Sequence, residues 1–276
     1  YSFTTLENAI FQPTWTEAQG KMYRRENKNE DFLGSIQLNY NNTWGAHKLD
    51  LTATAEHQNN RKQFFFTTVK GLASNAFGYD NLMVGNIHPY KGTSSGYESP
   101  KLTSFMGNLS YTFLNRYALS LTLRADGSTL VGHNNTWGFF PSTGLEWNLK
   151  EEKWLQDVKW LDHLKLQTSV GRSGNLGGIL AYYTQQTLVP SGIISYHGIP
   201  TVTLGQIRNA NPNLKWETRT SFNLGLKTGL LHNRIQLYAE YYYSKTTDML
   251  YNYDVSVPPF AFNKLLANIG SMSNSC

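Results

Sequence analysis

The chain of 276 residues has one cysteine, Cys276, at its last position. No intramolecular disulfide is available, so no disulfide scaffold supports the fold. Charge is scarce as well: Asp, Glu, Lys and Arg make up 16% of residues, and the formal net charge is +5. No dense Lys/Arg stripe is present, which leaves nucleic acid without an electrostatic footprint. The basic run 21–28 (KMYRRENK) reads as a solvated loop or strand end. No apolar run approaches the ~18 residues of a membrane-crossing helix, and the mean hydropathy is -0.43. A helical membrane protein is thereby excluded. A membrane barrel is not, because its lumen and loops are polar. Tyr1-Ser2-Phe3 shows no basic or apolar region of a signal peptide, so the chain reads as cytosolic, processed or cut from something longer, and the lack of an initiating Met favours the last two.

What the sequence does contain is alternation. In 211–250 two runs flank a tight turn at 229–233. Trp216, Thr218, Thr220, Phe222, Leu224 and Leu226 share one side of the first run, and Ile235, Leu237, Ala239, Tyr241 and Tyr243 share one side of the second. A period of two gives one dry face and one wet face. Each run is about ten residues, enough for a tilted strand to cross a bilayer. The same pattern recurs at 32–41, 48–56, 104–113, 117–124, 139–148 and 164–170. Pro141 weakens the start of its strand. The segment 150–162 (KEEKWLQDVKWLD) instead places Trp154, Leu155, Val158 and Leu161 at helical spacing, which suits a short amphipathic connector.

These runs predict an all-β, antiparallel fold with about eight strands. The connections alternate in length: brief at 44–46, 114–116, 149–163 and 228–233, and longer at 58–103, 126–137, 172–215 and 245–267. Brief turns at one end and long loops at the other are the habit of an outer-membrane barrel. A soluble β-sandwich has no reason to segregate its loops this way.

Chemistry is thinly represented. The seven histidines are scattered, with no pair at metal-ligand spacing. The stretch 171–178 (GRSGNLGG) lacks the Lys-Ser/Thr of a phosphate-binding loop and reads as a strand end and turn. Asp126-Gly127-Ser128 reads as a turn, and Glu151-Glu152 as a charged first turn of the connector. No nucleophile, base and orienting group form a set, so neither catalysis nor a cofactor is expected. Binding remains. Aromatics crowd the long-loop end: 64–66 (FFF), Tyr79, Tyr90, Tyr97, Tyr182, Tyr183, Tyr196, Trp216, Tyr251 and Tyr253. Exposed rings among Asn and Gln suit stacking on sugars with hydrogen bonds to hydroxyls. The alternative is that they pack the loops together or form the outer girdle.

Four motifs in order carry a family resemblance: 116–128 around LRADGS, 135–147 beginning NTWGFFPS, 164–175 (LKLQTSVGRSGN), and 211–217 (NPNLKWE) with 246–250 (TTDML) beyond it. On these the chain resembles the SusC/RagA family of TonB-linked outer-membrane transporters of Bacteroidota. The resemblance covers roughly 30–274. It implies a segment of about eight to nine strands of a larger, about 22-stranded transmembrane barrel. It also implies that plug domain, TonB-contacting segment and final strands lie outside residues 1–276. The implied function is part of an importer of oligosaccharides or peptides, with a SusD-like surface lipoprotein, the TonB complex and outer-membrane lipid as partners. Among the loop aromatics, Tyr90, Tyr97, Tyr182, Tyr183, Tyr196 and Tyr251 are the ligand-contacting candidates. A small self-contained barrel, acting as a passive pore or adhesin, and a soluble carbohydrate-binding module remain open alternatives from the residues alone.

Overall fold

The computed structural model describes residues 2–4, 21–72, 81–88 and 92–276. Fourteen strands follow in chain order: β1 (Ser2–Thr4), β2 (Lys21–Trp44), β3 (His47–Leu72), β4 (Gly85–Ile87), β5 (Thr93–Glu98), β6 (Lys101–Phe113), β7 (Tyr117–Ser128), β8 (Trp137–Asn148), β9 (Leu161–Asn175), β10 (Leu188–Tyr196), β11 (Ile199–Gln206), β12 (Glu217–Leu230), β13 (Ile235–Asp254) and β14 (Lys264–Ser275). One antiparallel sheet runs β1-β2-β3-β6-β7-β8-β9-β12-β13-β14, with β4 and β5 paired to β3, while β10 and β11 form a hairpin of their own. Nine of the main strands are long. The chain clusters into two compact units. The larger holds Leu33–Gln58, Lys101–Val189 and Gln206–Cys276. The smaller includes the described residues of the N-terminal 32, of Asn59–Pro100 and of Pro190–Gly205.

In the larger unit the exposure pattern is the reverse of a water-soluble sheet. Ile36 and Leu38 are 72% and 70% exposed, and Leu145 is 54% exposed. On β12, Phe222, Leu224 and Leu226 are exposed, whereas Ser221 and Asn223 are half-buried and Gly225 is buried. Register carries this across strands. Leu109 pairs with Leu121, Leu121 with Thr143, Thr143 with Val170, Val170 with Phe222 and Phe222 with Tyr243. A sandwich buries such a face; a membrane barrel turns it to lipid.

Aromatic side chains border the apolar rows. Near the short turns, Trp44, His47, Phe113, Tyr117 and Trp147 form a chain of ring contacts with centroids 4.8 to 6.5 Å apart. Toward the long connections, the ring of Phe105 stacks on Trp137 at 6.0 Å. From Phe105 to Phe113 the strand climbs about 27 Å at ~3.4 Å per residue. With strand tilt, that approaches the ~25 Å apolar band of an outer-membrane barrel.

The short turns are held by polar groups. Over 150–162, where spacing predicts a helix-like connector, the chain passes from a 3-10 turn (Leu149–Glu151) through further turns into the start of β9 and forms no α-helix. The Lys150 ammonium donates to the carbonyls of Leu155 (3.0 Å), Gln156 (3.1 Å) and Val158 (2.8 Å). Those carbonyls thus have partners without a helical ladder, and so short a helix is marginal in any case. Glu152 accepts from the Tyr117 hydroxyl at 2.6 Å and from the Trp147 indole N–H at 3.1 Å. The carboxylate in the turn thereby anchors two rings of the aromatic border.

Other expectations change at the long-connection end. β3 continues to Leu72, so 64–66 is strand rather than loop, and 21–28 lies within β2. Asp126-Gly127-Ser128 is not a turn but the end of β7; Asp126 is buried and accepts from the Arg124 guanidinium at 2.8 and 2.9 Å. Pro141 sits inside β8, opposite Leu123. The β8–β9 ladder stops at Ser142–Gly171, so the N–H missing at Pro141 takes nothing from it. Trp216 does not join the exposed row of β12. It precedes that strand and is buried.

Trp216 belongs to the main core, with Val131, Phe140, Ile179, Leu214 and Leu266. Phe139 is 56% exposed and Phe140 6%, so adjacent rings take opposite faces. Phe140 meets Trp216 edge-on at 5.4 Å. Gly138 and Gly174 make room for it, because a Cβ on either would fall 2.4 or 2.1 Å from the Phe140 ring.

Candidate functional site

The face opposite the apolar rows is polar and hydrogen-bonded. Ser110, Ser120, Gly144, Ser169 and Asn223 lie in one register row across β6, β7, β8, β9 and β12. Thr122 donates to Asn108 at 2.9 Å, and the Asn223 amide donates to Ser169 at 3.2 Å. Lys165 pairs with Glu146 at 2.8 Å, and Gln167 donates to the other carboxylate oxygen. The Tyr238 hydroxyl donates to Glu240 at 2.7 Å, under a Lys227 ammonium 5.4 Å from its ring. Small side chains around Gly144 and Gly225 leave a bay of about 370 Å³ bordered by Glu146 and Glu240. Such a surface is suited to water and polar solutes, not to lipid.

Beyond the apolar rows, segment 209–217 fastens three connections of the larger unit together. Asn209 donates to the carbonyls of Phe262 (2.5 Å) and Lys264 (2.9 Å) and accepts from the N–H groups of Ala261 and Phe262. Asn211 donates to the carbonyl of Leu266, and Asn268 donates to those of Lys215 and Asp248. Asn135 reaches the carbonyls of Asn213 and Leu214, and the Trp216 indole donates to the carbonyl of Thr136. Glu217 accepts from Asn175 and from the backbone N–H of Leu250. Three of the four sequence motifs therefore contribute joints to this clasp, 135–147, 164–175 and 211–217 with 246–250, and Trp216 is one of its packing residues rather than a ligand platform.

The six candidate tyrosines have different surroundings. In the larger unit, Tyr183 is half-buried against the core, and the Arg208 guanidinium lies 4.3 Å from its ring centre. Packing accounts for that residue. Tyr182 is exposed beside it with a left-handed backbone (φ +65), and Tyr251 is exposed on β13. In the smaller unit, Tyr196 ends β10 and stands edge-on to His197 at 4.4 Å. His197 and Gly198 both have positive φ, as a two-residue hairpin turn demands. Sequence spacing predicts only a long connection over 172–215; the signal of the hairpin is His-Gly flanked by Ile193, Ile194, Ile199 and Val202. Tyr97 lies on β5 and lines a cleft with Phe65 of β3. Tyr90 and Tyr79 lie outside the described residues. Grouping Phe65 with Phe64 and Phe66 hides its role, because period two turns it away from both.

The comparisons agree with this geometry. A family profile described as "TonB dependent receptor-like, beta-barrel" matches residues 1–275. The chain is 33% identical over 230 residues to TonB-dependent receptor P26 of Formosa agariphila, covering 83% of this chain and 23% of that protein. It is 37% identical over 175 residues to TonB-dependent receptor SusC of Bacteroides thetaiotaomicron, covering 63% and 17%. The solved structure of the RagAB peptide transporter superposes with a TM-score of 0.82 at 24% identity, over 96% of this chain and 29% of that chain. At that identity the superposition speaks for the fold. This chain spans about a quarter of the length of the curated relatives P26 and P3 of Formosa agariphila. With its lipid-type face, its polar face and its segregated turns, the chain belongs to the TonB-dependent receptor β-barrel family of the outer membrane.

Proposed function

We propose that the chain forms part of the wall of an energy-coupled nutrient importer that takes up oligosaccharides or peptides. The observation that carries this reading is the two-sided sheet. Exposed leucines and aromatics cover one face, and a continuous hydrogen-bonded polar surface covers the other. Such a wall separates lipid from a water-filled passage. Two comparisons support the reading: a relative is named TonB-dependent receptor SusC, and a structural neighbour is titled a peptide transporter. Among the described residues β14 pairs only with β13, and lipid does not tolerate an open sheet edge. The reading therefore takes the neighbouring strands from the rest of a parent protein. A SusD-like lipoprotein at the long-connection end and the TonB complex at the short-turn end complete it. Tyr182, Tyr196, Tyr97 and Tyr251 are the wall's ligand contacts, together with Tyr90. The test is uptake of labelled maltohexaose and of a labelled decapeptide by cells carrying or lacking the parent protein, each with and without TonB. Uptake that needs both proteins is the expected result. Uptake that persists without TonB would turn the assignment to a passive pore.

A further inference from the structure

The smaller unit carries a cleft of about 790 Å³ whose lining joins two exposed rings to polar groups. Register defines the rings' placement. Gln63 pairs with Tyr97 and Phe65 with Ser95, so Phe65 and Tyr97 sit diagonally on one face of the β3–β5 pair. Diagonal neighbours on one sheet face lie roughly 7–8 Å apart, which sets two rings side by side as one platform. Both are exposed. The Gln63 amide and the Ser95 hydroxyl alternate with the rings on the same face. The reverse side is closed: Phe64 turns away and lies over Gly96, where a Cβ would come 2.2 Å from its ring, and Phe64 stacks on Phe66 at 6.5 Å. The platform is thus backed by packed aromatics.

Charge decides what suits it. Arg24 and Glu26 both line the cleft and pair with each other at 2.7 Å. Lys28 also lines it and pairs with Glu30 at 2.6 Å. Each cation on the wall is therefore offset by a carboxylate, Glu26 within the lining and Glu30 outside it, which weakens the field an anion would meet. What remains is a set of fixed donors and acceptors beside two apolar ring faces. Vicinal hydroxyls need donors and acceptors, and the C–H face of a pyranose needs a flat ring to stack on. We infer that this cleft is a binding subsite for an uncharged oligosaccharide, in which Phe65 and Tyr97 stack on successive sugars and Arg24, Glu26, Gln63 and Ser95 hydrogen-bond their hydroxyls. This deepens the import reading and rests on it, naming neutral glycans ahead of peptides and sulfated glycans.

The experiment uses the full parent receptor in detergent. Maltohexaose, xylohexaose and mannohexaose serve as neutral probes, a chondroitin sulfate hexasaccharide as the anionic probe, and lipopolysaccharide micelles as the lipid-linked source. Calorimetric titration of at least one neutral probe is expected to weaken about tenfold in each of Phe65→Ala and Tyr97→Ala. Tyr97→Phe keeps the ring and retains most of the affinity. Heat-modifiable mobility on gels checks that every variant is folded. The same losses with the micelles and with no free hexasaccharide would overturn it and assign the two rings to a lipid surface. Unchanged affinity in both alanine variants, no binding of any neutral probe by the unmutated receptor, or preference for the sulfated probe would overturn the inference. The import reading fails separately: hexasaccharide binding that depends on Phe65 and Tyr97, in a receptor that shows no TonB-dependent uptake, would leave the subsite standing and remove the importer.

Discussion

Single residues hold both ends of this wall. Gly174 is required by the Phe140 ring, which Trp216 blocks from swinging aside. Gly174→Ala should cost the whole receptor about 1–3 kcal/mol through overpacking, read as a lower temperature of heat-modified mobility. Pairing it with Phe140→Leu should recover part of that loss; no recovery would mean that the glycine serves backbone conformation instead. At the opposite end, the hydrogen bond from the Tyr117 hydroxyl, followed by that from Trp147, holds the Glu152 carboxyl below its ordinary value of 4.5. A carboxyl with a depressed folded pKa adds stability above its unfolded pKa, and that gain fades as pH falls through the folded value. The anchoring of Tyr117 and Trp147 should therefore persist at neutral pH and loosen only on acidification below the usual carboxylate range. Tryptophan fluorescence against pH would show an acid transition in the native receptor that Glu152→Gln lacks. An identical acid limb in both proteins would assign the transition to another group.

At the scale of elements, the clasp built by 209–217 ties the β7–β8 and β13–β14 connections to its own. Asn209 satisfies two backbone N–H groups and two carbonyls of the β13–β14 connection with one side chain. Asn209→Ala strands those groups at a cost of about 1–3 kcal/mol. Protease cleavage within 255–263 should rise while cleavage within 231–234 stays unchanged; a uniform rise would point to global loosening. Strand existence was legible in the sequence wherever apolar and polar residues alternate, as in 217–227 and 235–243. Strand extent was not. From Asn59 to Leu72, β3 carries polar and aromatic residues on both faces, so period two loses its contrast although the ladder continues. The connector at 150–162 misleads in the other direction: its apolar spacing is helical, but one ammonium takes the carbonyls. Candidate contacts suffered from the same blindness to pairing. Tyr183 turns out to pack beneath Arg208, and Phe65 shares a face with Tyr97 only because strands thirty residues apart are neighbours.

For the whole molecule, the decisive quantity is the sign of the contrast between faces. Leu121 lies midway along β7 between Tyr117 and Ala125, which pair with the two aromatic borders. Leu121→Lys should cost about 2–4 kcal/mol at that depth and lower the yield of assembled receptor in outer-membrane fractions. Ser120→Lys, aimed at the polar bay, should be tolerated. Equal assembly of the two variants would sink the face assignment. The same alternation also governs how such a chain reaches its destination. A translocation channel samples consecutive residues as an extended thread, and among the described residues no helix is long and apolar enough to cross a membrane. The greasy surface does not exist in the thread; it comes into being only when strands pair and every second side chain turns the same way. The polypeptide can therefore traverse one bilayer as an unremarkable polar cargo and become insoluble in water only at the second, where folding and insertion are a single event.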